Sequence, residues 1–349
     1  MNTWLQFLDS QGALLDAERG DVTGFGNNIS LQQMRNGFVA PLTDLGLIAA
    51  SGDDAVSFLH NQLTNDVEHL TATEARLAGY CTPKGRLLAT FLMWKTADAV
   101  MLQLPRQIQA AVQKRLQMFV LRAKVKLLDA TDAHVALGLS GQTAASSLAT
   151  WFPTLPSAPF TVTQSDAGTL IRVADAFDAP RYQWITSAAL AQQAWPALRA
   201  ALTPVGASAW RLGEIHAGIP QISQATQEQF VPQMINFELI GGVNFRKGCY
   251  PGQEIVARSQ YLGKLKRRML PATIDAADVR AGMEVFSSAD PEQPCGMVVN
   301  AERNLNGGID CLVEIKMAAL DGSTVHLGSA TGPSLHFGAL PYALPDAAA

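Results

Sequence analysis

Residues 247–258, KGCYPGQEIVAR, place one thiol, Cys249, in a turn between Gly248 and Gly252, close in sequence to Arg246, Lys247 and Arg258. Glycines give backbone freedom and little cover, and nearby cations favour the thiolate, the form that attacks electrophiles and binds soft metals. Cys249 is therefore a candidate reactive centre or single metal ligand. The alternative is a small buried apolar residue, as free cysteines commonly are. A thiol hydrolase would also need a base and an oxyanion site. His60 and His216 are the available bases, but their spacing commits neither to Cys249.

A second stretch, WRLGEIHAGIPQI (210–222), sets Arg211 and Glu214 three residues apart, on one face of a helix. They make a solvent-side ion pair, or Glu214 points into a pocket. A carboxylate accepts two adjacent N–H donors in a fork, the pattern that a pterin or guanine edge presents. Trp210, Leu212, Ile215 and Ile219 would exclude water from such a contact. A third stretch, GDDAVSFLHNQLTNDV (52–67), and the basic run GKLKRR (263–268) complete the candidates. The basic run is a solvated surface, or it holds an anionic tail or acidic partner. GGVNFRKG lacks the Lys-Ser/Thr of a phosphate-cradling loop.

Cys81, Cys295 and Cys311 lie far from Cys249 and from one another, so no self-contained zinc or iron–sulfur site is expected. With 48% hydrophobic and 16% charged residues, the chain describes a well-buried globular protein rather than a disordered one. A net charge of -4 makes direct nucleic-acid binding unexpected. The longest apolar stretch, LLATFLMWKTADAVMLQLP, is broken by Lys95 and Asp98 and reads as a hairpin, not a membrane span. The start carries no basic leader, so the expected location is the cytoplasm and no membrane partner is expected.

These residues need a scaffold of more than one domain, given 349 residues. From Leu45 to about Asp129 the pattern reads strand, helix, hairpin, helix, strand: LGLIAA, AVSFLHNQL, RLAGYC, GRLLATFLMW, AVMLQLP and KVKLLDA, with Ile108, Val112, Leu116 and Phe119 on one helical face after Pro105. This is an α+β layer rather than a parallel Rossmann sheet. LIAASGDDAVSFL and ALGLSGQTAASSL share a strand, a Ser-Gly turn and matched Ala and Leu; duplication and chance similarity of two strand–turn–helix units both remain open. Beyond about Arg268, short strands and the turns Gly307-Gly308 and Asp321-Gly322 predict a small antiparallel barrel. The expected domains are 1–130 with 205–265, 131–204, and 266–349.

Taken together, the three stretches resemble the YgfZ family of tetrahydrofolate-binding proteins that support iron–sulfur enzymes. KGCYPGQE is similar to its K-G-C-Y-x-G-Q-E signature, GDDAVSFLHNQLTNDV to its G-x-D-A-x-x-F-L-x-x-Q-x-T-x-D-V, and EIHAGIPQI onward to its E-x-G-I-P block. The resemblance covers about residues 35 to 340. It implies an aminomethyltransferase-like fold: two mixed α/β subdomains and a C-terminal barrel, in a ring around a folate-sized channel. It implies that Glu214 grips the pterin of tetrahydrofolate or a one-carbon derivative. Arg211, Tyr250, Gln253, Arg258 and Asn65 would complete the folate site, Tyr250 by stacking, while Lys247 and Arg258 would hold either the thiolate or the folate tail carboxylates. Cys249 with Lys247 would assemble or repair iron–sulfur client enzymes, tRNA-modifying ones among them, Cys249 serving as a transient iron ligand. One departure stands out. Ala89 and Thr90 occupy the positions where the related glycine-cleavage enzymes carry acids, so an aminomethyl or formyl transferase is the alternative and not the first reading.

Overall fold

The computed structural model describes residues 3–18, 20–27, 29–261 and 265–345. The chain opens with α1 (Thr3–Ser10), a ribbon of β1 (Leu14–Leu15) and β2 (Val22–Gly24), α2 (Leu31–Asn36) and β3 (Phe38–Pro41). A first unit follows: β4 (Leu45–Ser51), α3 (Ala55–His60), β5 (Ala75–Cys81), β6 (Leu87–Lys95), β7 (Val100–Pro105), α4 (Arg106–Gln117) and β8 (Lys126–Asp129). The second unit repeats that order with β9 (Val135–Ser140), α5 (Ala144–Leu148), β10 (Val162–Ser165), β11 (Gly168–Ala176), β12 (Ala179–Thr186), α6 (Ala188–Ala201) and β13 (Thr203–Pro204). Next come α7 (Ala207–His216), a long irregular segment and α8 (Gln253–Tyr261).

The first sheet runs β5-β6-β7-β4-β8 and the second β10-β11-β12-β9-β3-β13. The meander-plus-first-strand order is the same in both, which makes the internal repeat a feature of topology. The Ser-Gly turns match too: Gly52 has φ +110° and Gly141 φ +106°, and a Cβ at either would lie within 2.3 Å of neighbouring backbone. Only glycine fits both turns. The repeat departs from symmetry at β3. Phe38–Pro41, expected with the first unit, is hydrogen-bonded to β9 and β13 in the second sheet. Its four residues are all buried, so the apolar run gains more inside that sheet than at the edge of the first.

Periodicity explains most of α4. Ile108, Val112 and Leu116 are buried on one face. Phe119, expected on that face, lies beyond the helix end at Gln117 and is 45% exposed. Between the two sheets a shared core gathers Phe38, Trp94, Met101, Ile171, Ile185 and Trp210. The sheets also meet edge to edge, where Ala75 N–H donates to the Phe160 carbonyl (2.8 Å) and Glu74 bridges Thr161.

The last unit comprises β14 (Arg267–Ile274), β15 (Glu284–Ser287), β16 (Asp290–Arg303), β17 (Ile309–Lys316), β18 (Val325–Leu327) and β19 (Leu335–Phe337). Its order is β18-β15-β16-β17-β14-β19, and a bridge from His326 to Ser334 brings the two edges almost together. The predicted barrel is therefore present and nearly closed. Of the basic run 263–268, Gly263 and Lys264 lie outside the described residues; Arg267 pairs with Glu314 and Arg268 with Glu238 (2.5 Å), so two of its cations are neutralised inside the protein.

Candidate functional site

Residues 217–252 carry the chemistry without a regular element to hold them, so they borrow the first sheet. Glu228 N–H donates to the Leu87 carbonyl and Leu87 N–H to that of Phe230, both at 2.8 Å. Thr64 Oγ1 donates to Gly242 (2.6 Å), and Asn65 Nδ2 donates to the carbonyls of Leu77 and Gly241, both at 2.7 Å. The stretch after α3 is thus a docking strip for the loop that bears Cys249. Asn65, expected at the folate, has its amide committed to this scaffold.

Lys247 does the same job from the other side. It is 9% exposed. Its Nζ donates to the carbonyls of His60 (2.5 Å), Leu63 (3.0 Å) and Gly248 (3.1 Å), and sits 4.8 Å from the centroid of the Tyr250 ring. Burial pushes its pKa down to about 8, against the opposing pull of Asp66, Cys249 and Glu68. Lys247 is the anchor of the loop rather than a free cation beside the thiol. Tyr250 is buried under it, away from the cavity that Glu214 lines, and burial raises its phenol.

Cys249 is exposed, whereas Cys81, Cys295 and Cys311 are buried and all four are free. Burial pushes the Cys81 and Cys311 thiols up to about 12, which keeps them inert. Of the two candidate bases, the structure brings His60 to the cysteine loop. A Cβ on Gly248 would stand 3.5 Å from His60 Nε2. His60 Nδ1 lies 3.1 Å from Asp66 Oδ1. Burial works against the Asp66 charge, but hydrogen bonds and charge from His69 and the charge of His60 hold its carboxyl below the ordinary range. His216 is elsewhere, bonded to Asp310 of the barrel at 2.7 Å. Gln253 starts α8 half-buried, and Arg246 and Arg258 are exposed with no ion pair among the described residues. No group of three or more His, Cys, Asp or Glu side chains among the described residues is arranged to hold a metal ion.

Arg211 and Glu214 do not pair with each other. Arg211 extends from α7 to Asp44 (2.6 Å) and to Glu302 of the barrel (2.8 Å), tying three parts of the chain together. Glu214 turns inward and accepts from Arg181 Nη2 at 2.5 Å. Arg181 is fully buried, with its guanidinium 4.0 Å from the Trp210 ring centroid. It was not visible as a site residue from sequence, because it lies 33 residues from Glu214 on another element.

Among the described residues Glu214 is the only ionisable group lining an inner cavity of about 50 Å³, otherwise walled by residues such as Leu77, Phe91, Phe160, Val173 and Trp210, with Thr90, Gln103, Gln183 and Gln221 as polar members. Leu77 and Phe160 also line an outer cavity of about 640 Å³, whose rim includes Asn65, Arg246, Phe245 and Tyr261. Phe160 holds φ 62°, a left-handed conformation unusual for a bulky residue. Arg211 lines a different cavity, of about 650 Å³, with Asp44, Arg106 and Glu302.

Two repeated units of strand, helix, meander and helix, a linking helix and a terminal barrel define the aminomethyltransferase class of fold. Aminomethyltransferase T of the glycine cleavage system from Bartonella henselae superposes with a TM-score of 0.81 over 98% of this chain and 97% of its own, at 17% identity. The sequence is 31% identical over 311 residues to the tRNA-modifying protein YgfZ of Klebsiella pneumoniae, 88% of this chain and 93% of that one. It is 30% identical over 308 residues to the Photorhabdus laumondii protein of that name, 87% and 92%. The chain belongs to the YgfZ family. A search of family models gave no match. No helix among the described residues is long and apolar enough to cross a membrane.

Proposed function

We propose that this protein binds tetrahydrofolate or a one-carbon derivative and uses Cys249 to support the assembly or repair of iron–sulfur enzymes, tRNA-modifying ones among them. The observation that carries the reading is the inner cavity, where, among the described residues, Glu214 is the sole ionisable group in largely apolar walls. Its carboxylate is fixed by the buried Arg181 and matches the paired N–H donors of a pterin edge. The polar groups fit that ring. The volume as it stands holds one or two waters, so Leu77 and Phe160 must turn aside for a bicyclic ring to pass from the outer cavity. Arg246 at the outer rim would meet the tail carboxylates.

Cys249 supplies the other half. It is the one exposed thiol among four cysteines, and a thiolate can take an iron of a cargo cluster in transit. The name borne by the relatives, tRNA-modifying protein, supports a link to tRNA modification. A transferase of aminomethyl or formyl groups fits less well. Thr90 stands in the cavity where a carboxylate would polarise the amine, its hydroxyl accepting from Ile222 N–H at 3.1 Å.

The test pairs two measurements. Cells lacking the protein are complemented with wild type or Cys249→Ala, and one [4Fe–4S] enzyme is assayed beside a cluster-free control. Purified protein is titrated with tetrahydrofolate. Failure of the cluster enzyme alone, rescued only by wild type, together with saturable folate binding, supports the reading. Full rescue by Cys249→Ala removes the thiol from it.

A further inference from the structure

We propose that the carboxamide of Gln183 is the specificity-determining partner of Glu214, donating a hydrogen bond to the 4-oxo group of the pterin; the inference rests on the folate reading above. Gln183 is in the middle of β12 and is 2% exposed. Its Nε2 is buried with no hydrogen-bond partner among the described residues, and it lines the same inner cavity as Glu214. A buried donor left unmatched is uncommon and destabilising in a native protein, which makes it a pointer to a ligand.

The strand explains why it stands there. Arg181 and Gln183 are two apart in β12, so both project from one face of the sheet. Arg181 fixes Glu214 and stacks on Trp210, although its Nε is likewise buried without a partner among the described residues. Gln183 is left free. In the ladder its cross-strand neighbours are Ile171 and Gly138. Trp210 packs where a Gly138 side chain would be, its ring 2.4 Å from the position of a Cβ, and so completes the wall.

The donor pattern then matches one class of ring. Along a pterin edge run an amino group, a ring N–H and a carbonyl oxygen: two donors and one acceptor. Glu214 accepts from the two donors and needs a donor beside it for the third position. A carboxamide N–H supplies that donor without a second charge in an apolar cavity. A 2,4-diaminopteridine carries a donor where the carbonyl stood, and meets Gln183 donor to donor.

The experiment uses folic acid and aminopterin, which differ in the oxo or amino group at position 4 and in the ring N–H that accompanies the oxo form, so each is compared across wild type, Gln183→Met and Gln183→Glu. Gln183→Met should weaken folic acid by about 3- to 10-fold, the effect of one neutral hydrogen bond, and aminopterin less. Gln183→Glu should reverse the preference between the two. Because the amide is unmatched in the free protein, Gln183→Met should also raise the melting temperature of the unliganded protein, where a purely structural glutamine would lower it. Folic acid bound equally by wild type and both variants overturns the role of Gln183 and leaves the folate reading standing. Absence of binding by the wild type to both folic acid and tetrahydrofolate overturns both. If Gln183→Met does not fold, the reversal by Gln183→Glu decides.

Discussion

His60 presents opposite sides of its ring to two parts of the site: Nδ1 lies 3.1 Å from Asp66 Oδ1, and Nε2 faces Gly248, the residue before Cys249. Nδ1 also accepts from the Glu68 N–H at 3.4 Å, so the ring is held from two sides. The Lys247 bond to the His60 carbonyl keeps the two segments together. His60 is therefore the buried imidazole beside the cysteine loop and the candidate acceptor for the thiol proton. His60→Gln should slow alkylation of Cys249 at neutral pH and leave the rate unchanged above about pH 10, where a thiol ionises unaided. Site-resolved mass spectrometry of iodoacetamide-treated protein reads Cys249 cleanly, since the other thiols are buried. Equal rates at both pH values would dissociate His60 from the thiol.

Glu214→Gln keeps one acceptor toward Arg181 and loses the charge. Affinity for tetrahydrofolate should fall by about 1.5 to 3 kcal/mol, the range of a hydrogen bond to a charged group. Calorimetric titration measures it, and an unchanged dissociation constant takes Glu214 out of the binding site.

For Lys247 the sign follows from a folded-state pKa near 8, below the 10.5 of the unfolded chain. Between those values the unfolded state binds more protons, so stability rises with pH. The cost of burying the ammonium is fully present below about pH 8 and is relieved as pH approaches 10.5, with a total on the order of 3 kcal/mol. Urea midpoints of wild type relative to Lys247→Met should climb across that window. Parallel curves would show that the amine titrates as it does in water.

Arg211 bonds carboxylates from the first unit and the barrel, away from the cavity of Glu214. Because its side chain is 41% exposed, Arg211→Gln should cost only about 1 to 2 kcal/mol of stability. Folate affinity should stay as in wild type. A large loss of affinity without loss of stability would instead place Arg211 on the ligand.

Local signals made much of this legible. Alternating runs gave the strands of the first unit and the barrel, and the glycine-flanked thiol marked the one exposed cysteine. What escaped was long-range. Spacing on a helix suggested that Arg211 and Glu214 meet, yet each found a better-placed partner on a distant element, Asp44 with Glu302 and Arg181 respectively. Lys247 read as a charge for the thiol; three backbone carbonyls that no sequence pattern displays had claimed it. Gln183 carries no signal at all, because a glutamine in a strand gains meaning only from the cavity it enters.

The place of β3 has a consequence for how the chain is made. A nascent chain can complete its first sheet once β8, ending at Asp129, has left the ribosome. Phe38–Pro41 emerged long before, and its hydrogen-bonding neighbours are Val135–Ser140 and Thr203–Pro204. Through the whole synthesis of the first sheet β3 is an apolar strand without its sheet partner, and β9 reaches it only just after that sheet is complete.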